Sequence, residues 1–350
     1  MRAEVVAALA CPDTGAPLTL EITTRDGEEV LEGALVSPAG QRFPIRDGVP
    51  RFVDTDRLEA DQRATVESFA FKWKRIPSYA FEAKTKSNRE SWYFQRFGFT
   101  RGDTDVRQFL AGSQRVLEAG TGTGVDTELL ARNTDATVYG IDISSAIDEA
   151  YRRFRGHPRI VLCQADIGRL PFRPGTFDVV SCDQVLHHTP DPPGNFGRLA
   201  RLLTPTGRML LYVYRIKGAL REFADDHLRS LYVEAPVEQA VDFSERMARF
   251  GRALSALNAR VELPDDLPEL GIRRGSYDVQ RLIYDHMIKC FWNDDYDFET
   301  NAMVNFDWYR PKHAYRYTEA EVRGWAAVAG LDVRHFDESP SGLSAILGRP

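Results

Sequence analysis

The stretch RVLEAGTGTGVDTELL, residues 115–130, constrains the fold of this chain more than any other. A short apolar run breaks into three alternating glycines, Gly120, Gly122 and Gly124, and a helical pattern resumes at once. Glycines at a strand-to-helix handover either relieve backbone strain or let a bulky ligand come close. The same rhythm then repeats. ATVYGI leads into the helical SAIDEAYRRF, RIVLCQA into a loop, and FDVVSC into PGNFGRLARLL, before GRMLLYVY. Strand and helix patterns alternating at this spacing predict βαβ units and a parallel sheet buried on both faces. Asp191, followed by Pro192 and Pro193, marks a helix start. The predicted fold class is α/β.

Five parts are expected along the chain. Residues 1–54 carry short β-like runs and turn signals, predicting a small β module. Residues 55–114 mix charge with Phe69, Phe71, Trp73, Trp92, Tyr93, Phe94, Phe97 and Phe99, predicting a helical collar or lid. Residues 115–215 form the α/β core. Residues 216–314 interrupt it with a mostly helical pattern, in which Ala240, Phe243, Met247, Phe250, Leu254 and Leu257 make one apolar stripe. Residues 315–350 add a helix, with Thr318 as N-cap and Gly330 at its end, and two closing strands.

Composition bounds the function. With 43% hydrophobic and 27% charged residues in 350, a packed core is expected. A net charge of −6 argues against a general nucleic-acid binder. No apolar run reaches the roughly 20 residues that span a bilayer, and the opening MRAEVVAALAC is too short and too acidic for a signal peptide. Cys11, Cys163, Cys182 and Cys290 are scattered without CxxC spacing and read as buried thiols in a reducing compartment. A soluble cytoplasmic protein without membrane insertion is expected.

A strand, a glycine-rich turn and a helix make a nucleotide cradle. The dinucleotide spacing G-x-G-x-x-G fails here, because Val125 stands where its third glycine belongs. Glu118, two residues before the first glycine, would repel a pyrophosphate and suits an ammonium or sulfonium group instead. VLEAGTGTG resembles the E/D-x-G-x-G-x-G motif of class I S-adenosylmethionine-dependent methyltransferases. VYGIDIS, CQADIGRLPF and FDVVSCDQVLHHTPDP follow in that family's order, the last resembling its LHH-signature branch. The resemblance covers residues 115–215 and 315–350. It implies a Rossmann-like seven-stranded sheet with an antiparallel last strand, a helical cap insertion, and S-adenosylmethionine as cofactor. It further implies cofactor binding by Glu118, Gly120, Thr121, Gly122, Asp142, Ile143, Asp166, Ile167 and Asp183, with Asp142 on the ribose hydroxyls and Asp166 on the adenine amine.

Residues 1–54 resemble the zinc-ribbon-like module that accompanies bacterial and tRNA methyltransferases. Its first cysteine pair reads Cys11-Pro12-Asp13-Thr14 here, and Val36 and Ala39 hold the spacing of the second. A structural zinc site needs four ligands, so the module is read as degenerate and metal-free. The acidic WNDDYDF at 292–298 reads as solvated, and no metal is expected.

In-line methyl transfer asks the protein mainly to orient the nucleophile and exclude water. A base is needed only for a proton the nucleophile cannot otherwise shed. His187 and His188 follow the fourth strand, and imidazole can accept such a proton. Adjacent residues point different ways, so at most one faces the acceptor. His188 abuts the Thr189-Pro190 turn and reads as structural, leaving His187 as the candidate base; both shaping the loop is the alternative. Tyr212, Tyr214, Asp307, Trp308, Tyr309 and His313 are candidate substrate contacts, since they border the sheet's carboxyl edge. The expected activity is methyl transfer to an O or N atom, C not excluded, of a small molecule such as a natural-product, sugar or envelope precursor. A non-catalytic cofactor-binding scaffold and an RNA methyltransferase are the alternatives, and a homodimer is compatible with the sequence.

Overall fold

A computed structural model describes residues 1–350, the side chain of Asp56 apart. The chain opens with an antiparallel meander of β1 (Thr19–Asp26), β2 (Glu29–Val36), β3 (Arg42–Arg46) and β4 (Val49–Pro50), in that spatial order. Nearly all of β1 is exposed, whereas β2 and β3 bury Val30, Leu35, Phe43 and Ile45. These side chains share one apolar cluster with Leu117, Tyr139, Val161 and Phe172 of the next layer. The backbones join as well: Phe52 donates its N–H to the Gln164 carbonyl at 2.8 Å.

Three helices follow, α1 (Ala60–Arg75), α2 (Ala83–Arg96) and α3 (Asp103–Leu110). The core then alternates β5 (Arg115–Ala119), α4 (Val125–Arg132), β6 (Thr137–Asp142), α5 (Ala146–Phe154), β7 (Ile160–Gln164), β8 (Phe177–Asp183), α6 (Pro192–Arg201) and β9 (Leu203–Tyr214). Asp191 caps α6 by accepting the Gly194 N–H, with proline at the helix start. The insertion contains α7 (Ala219–Tyr232), α8 (Val237–Ser255), β10 (Arg260–Leu263), β11 (Gly275–Asp278), α9 (Val279–His286) and α10 (Phe298–Tyr309). The antiparallel β10–β11 hairpin is absent from the sequence reading, and its strands are too short and too polar to show periodicity. The α8 stripe buries Ala240, Phe243 and Met247 but leaves Phe250 and Leu257 exposed, so its apolar face leaves the core towards its end.

The chain closes with α11 (Glu319–Val328), β12 (Asp332–Glu338) and β13 (Gly342–Gly348). Thr318 and Glu321 form a reciprocal capping box on α11. The seven-stranded sheet runs β12-β13-β9-β8-β5-β6-β7. Strands β5 to β9 are parallel, and β13 lies antiparallel between β12 and β9. Strand order reverses between β6 and β8 on either side of β5, and ligands in such sheets bind at the carboxyl ends beside that switch. Among the described residues no helix is long and apolar enough to cross a membrane.

Candidate active site

A cavity of about 730 Å³ opens at that switch point. The glycine turn and the ends of β6, β8 and β9 form its floor, α1 and α2 cover it, and the insertion walls its far side. Gly120, Gly122 and Gly124 have φ of +88°, +54° and +95°, which L side chains adopt only with strain. A Cβ on Gly120 would collide with Val185, and one on Gly124 with Phe154. Gly120 and Gly122 line the cavity, and Gly124 does not. The turn therefore requires glycine through its own conformation and packing, and two of the three glycines also face the cavity.

Acidic groups surround this turn. Glu118 is buried and accepts hydrogen bonds from Thr121 Oγ1 at 2.7 Å and from Thr127 Oγ1. Burial, with the Asp126 carboxylate adding to it, pushes the Glu118 carboxyl up to about 8. Asp142 Oδ2 accepts the Gly122 N–H at 2.8 Å, and Oδ1 accepts the Ser144 N–H and Oγ–H. It thereby pins the glycine turn to the end of β6, and burial raises its pKa. Asp166 accepts the Gly168 N–H and the Gln62 side-chain amide, both within 2.9 Å. Thr121, Ile143 and Ile167 complete this wall. Asp183 also lines it, but its oxygens are engaged by Arg96 at 2.7 and 3.1 Å, Arg89 at 2.8 Å and Gln184 at 3.0 Å. Burial would raise its pKa, yet Arg96 and Arg89 outweigh that and hold it at about 2. Asp183 thus anchors α2 to the sheet.

The two histidines are placed differently from the sequence expectation, His188 rather than His187 facing the cavity. His187 is fully buried and absent from the cavity wall; its Nδ1 accepts the Tyr214 N–H at 3.3 Å, and its ring stacks on Tyr214 at 3.7 Å. It is a strut between the loop and β9, and the structure does not bring its ring to the cavity wall. His188 lines the cavity. Its Nδ1 lies 2.6 Å from the His313 carbonyl, which can only accept, so Nδ1 carries the proton and Nε2 is the free acceptor. Burial pulls its pKa down to about 4, so the ring is neutral at physiological pH.

Tyr212, Tyr214, Asp307 and Trp308 line the cavity, and Asp307 pairs with Lys72 at 2.5 Å. Tyr309 and His313 do not. One residue past Trp308 on α10, Tyr309 turns into the apolar core beside Phe243 and donates its hydroxyl to the Lys289 carbonyl. His313 lies beyond the helix with its ring against Tyr315, and its backbone reaches inward, the carbonyl to His188 and the N–H to Thr65 Oγ1 at 3.1 Å.

Residues 117–211 match the family model described as "Methyltransferase domain". Over these residues the chain carries a methyltransferase domain. It is 32% identical over 168 residues to a 27-O-demethylrifamycin SV methyltransferase of Amycolatopsis mediterranei, covering 47% of this chain and 55% of that one. It is 37% identical over 108 residues to a ubiquinone biosynthesis O-methyltransferase of Thiobacillus denitrificans, covering 29% and 45%. An uncharacterised protein of Synechococcus sp. is 38% identical over 108 residues, covering 29% and 26%. Across these three relatives the chain spans between 26% and 55% of the other protein's length.

Much of the cavity lies outside the methyltransferase domain. Gln62, Phe69 and Trp73 come from α1, and Arg89, Trp92 and Arg96 from α2. The i, i+4 spacing of Phe69 and Trp73 is a usable signal for the covering face, while Phe71 packs outward on Phe306. Arg89 and Arg96, one heptad apart, read as surface residues; only tertiary structure shows them buried on Asp126 and Asp183. The insertion contributes Lys217, Arg221, Tyr284 and Lys289, none of which sequence reasoning singles out. The acids of 292–298 are engaged by the protein: Asp294 accepts from Trp292 Nε1, Asp295 pairs with Lys84, and Asp297 caps α10.

Proposed function

We propose that this chain transfers a methyl group from S-adenosylmethionine to an O or N atom of a small molecule held beneath the 216–314 insertion. The observation that carries this reading is the continuity of the cavity, from the acid-ringed glycine turn to an aromatic wall outside the methyltransferase domain. The residues fit the cofactor chemically. Asp142 at the tip of β6 suits ribose hydroxyls, Asp166 and Ile167 suit adenine, and buried Glu118 suits a cationic centre. Once bound, the cofactor supplies a sulfonium-activated methyl group, so the chain's remaining work is positioning and exclusion of water. Tyr212, Tyr214, Trp308 and Asp307 form the acceptor wall in this reading. His188 Nε2 is the acceptor available for a proton from an O–H or N–H nucleophile. The small-molecule relatives support this substrate class.

Calorimetric titration with S-adenosylmethionine tests the reading. The wild type is expected to bind, and Asp142→Ala to weaken binding by roughly 1.5–3 kcal/mol through lost hydrogen bonds to a charged group. Because Asp142 also holds the Gly122 N–H, Asp142→Asn should recover part of the loss. No binding by the wild type would refute the proposal.

A further inference from the structure

The two ends of the cavity differ in charge. Around the glycine turn stand Glu118, Asp126, Asp142, Asp166 and Asp183, against Arg89 and Arg96. Under the insertion cations gather instead, with Arg221, Arg281, Lys289 and Lys217, the last driven towards its neutral form by burial, lining the wall around two rings beside Asp285, Asp307, Asp337 and Glu338. Lys289 Nζ lies 5.0 Å from the centre of Trp308 and 5.7 Å from that of Tyr284. The Arg221 guanidinium lies 5.3 and 5.4 Å from the same rings, and Lys217 Nζ 5.9 Å from Trp308. Among the carboxylates near Lys289, Asp307 acts most strongly and is itself paired with Lys72. Asp225 is taken by Arg221 at 2.6 Å, and Asp285 lines the wall with its pKa raised by burial. Lys217 donates to the Pro340 and Ser341 carbonyls.

Lys289 is different. Its side chain is buried, at 6% exposure for the residue, and its ammonium meets ring faces rather than a carboxylate at contact distance, with Asp307, Asp225 and Asp285 acting on it from further away. A buried ammonium offset only at longer range, by Asp307, Asp225 and Asp285, is costly, and an opposite charge brought into contact with it recovers much of that cost. The ring faces of Trp308 and Tyr284 offset only part.

We propose that the insertion end of the cavity is an anion subsite in which Lys289, flanked by Lys217 and Arg221, holds a carboxylate or phosphate group of the acceptor. This deepens the methyltransferase reading of the same cavity and rests on it. The burial that lowers the Lys289 pKa to about 8 still leaves it mostly charged at pH 7, and a bound anion would raise it again. Tyr214, in ring contact with Trp308 at 4.7 Å, links this end to the strand tips of the methyltransferase domain.

The test uses the full chain saturated with S-adenosylhomocysteine and titrated calorimetrically with benzoate, phenyl phosphate and benzamide. At least one anion is expected to bind tenfold or more tighter than neutral benzamide. Binding by benzoate alone assigns a carboxylate acceptor, and by phenyl phosphate alone a phosphorylated one. Lys289→Met, which keeps the stem length, should lower the anion's affinity at least tenfold and leave S-adenosylhomocysteine affinity unchanged; Lys217→Met should act in the same direction. Benzamide binding as tightly as the anions, no anion binding, or anion affinity indifferent to Lys289→Met would each overturn the inference. Failure to bind S-adenosylhomocysteine would instead count against the methyltransferase reading, and the anion titration repeated without it still reports on the subsite.

Discussion

Glu118 is buried and His188 half-buried on the cavity wall, and desolvation drives each towards its neutral form from opposite sides of pH 7. With its pKa near 8, Glu118 holds a proton at pH 7 that a cationic ligand must displace. S-adenosylmethionine affinity is therefore expected to rise between pH 6 and 8 and level off above. Calorimetry at pH 7 in buffers of different ionisation enthalpy should register proton release that Glu118→Gln abolishes; an affinity flat across this range, with no release, would sink the assignment. His188 gives the opposite slope in stability. In the unfolded chain it protonates near 6.5, and in the folded one only near 4, so its contribution is intact above pH 6.5 and lost as pH falls towards 4. Between pH 7 and 4.5 the wild type should lose roughly 2–3 kcal/mol more than His188→Asn, because each tenfold difference in proton affinity between the two states is worth about 1.4 kcal/mol. Urea denaturation at the two pH values measures this. Equal losses would mean the ring is already protonated or freely solvated.

At the scale of elements, the turn between β5 and α4 shows what sequence can and cannot convey. The strand–helix rhythm of 115–215 is legible because parallel strands covered on both faces must be apolar throughout, as Val116, Leu117, Val179 and Val180 are. The glycines are legible as a turn, yet their partners are not: Val185 lies 65 positions from Gly120 in sequence. Gly120→Ala is expected to destabilise by about 2–4 kcal/mol, combining a disfavoured φ with overpacking. Gly122→Ala should cost less, because its φ lies in the left-handed helical region and its nearest neighbour, Trp73, is at 3.3 Å. Chemical denaturation of both variants gives the order, and Val185→Ala in the Gly120→Ala background should restore part of the loss. Absence of rescue would assign the whole effect to backbone strain. The insertion is less legible for a related reason. Helix periodicity marks which face is apolar but not which residues at its edge turn inward, so Trp308 and Tyr309 cannot be told apart. The cations of the far wall resemble surface residues until the helices are placed.

Across the whole molecule, the N-terminal module shares the core of the sheet. Cys11 is buried with its thiol on the Gln41 side-chain oxygen at 3.0 Å, and Leu9, Leu18, Val30, Leu35, Phe43 and Phe52 enter the cluster that holds Leu117, Val161 and Phe177. Ala10 donates its N–H to the Pro171 carbonyl, Arg51 pairs with Asp148 at 2.5 Å, and Arg169 with Asp13. Where a zinc ribbon draws its stability from the metal, this module has apolar burial across a shared boundary to hold it. At roughly 25 cal/mol per Å² of apolar surface, half a dozen large side chains can supply what four metal–ligand bonds otherwise would. Two consequences are measurable together. Calorimetric unfolding should show the module and the sheet melting in one transition, because separating them exposes a common core. A strong chelator should leave that transition where it is, and protein purified without added metal should contain far less than one equivalent of zinc. A separate low-temperature transition would show that the shared cluster contributes little. A chelator-sensitive one, or stoichiometric zinc, would mean that ligands other than cysteine have taken over the metal and that the module is not degenerate.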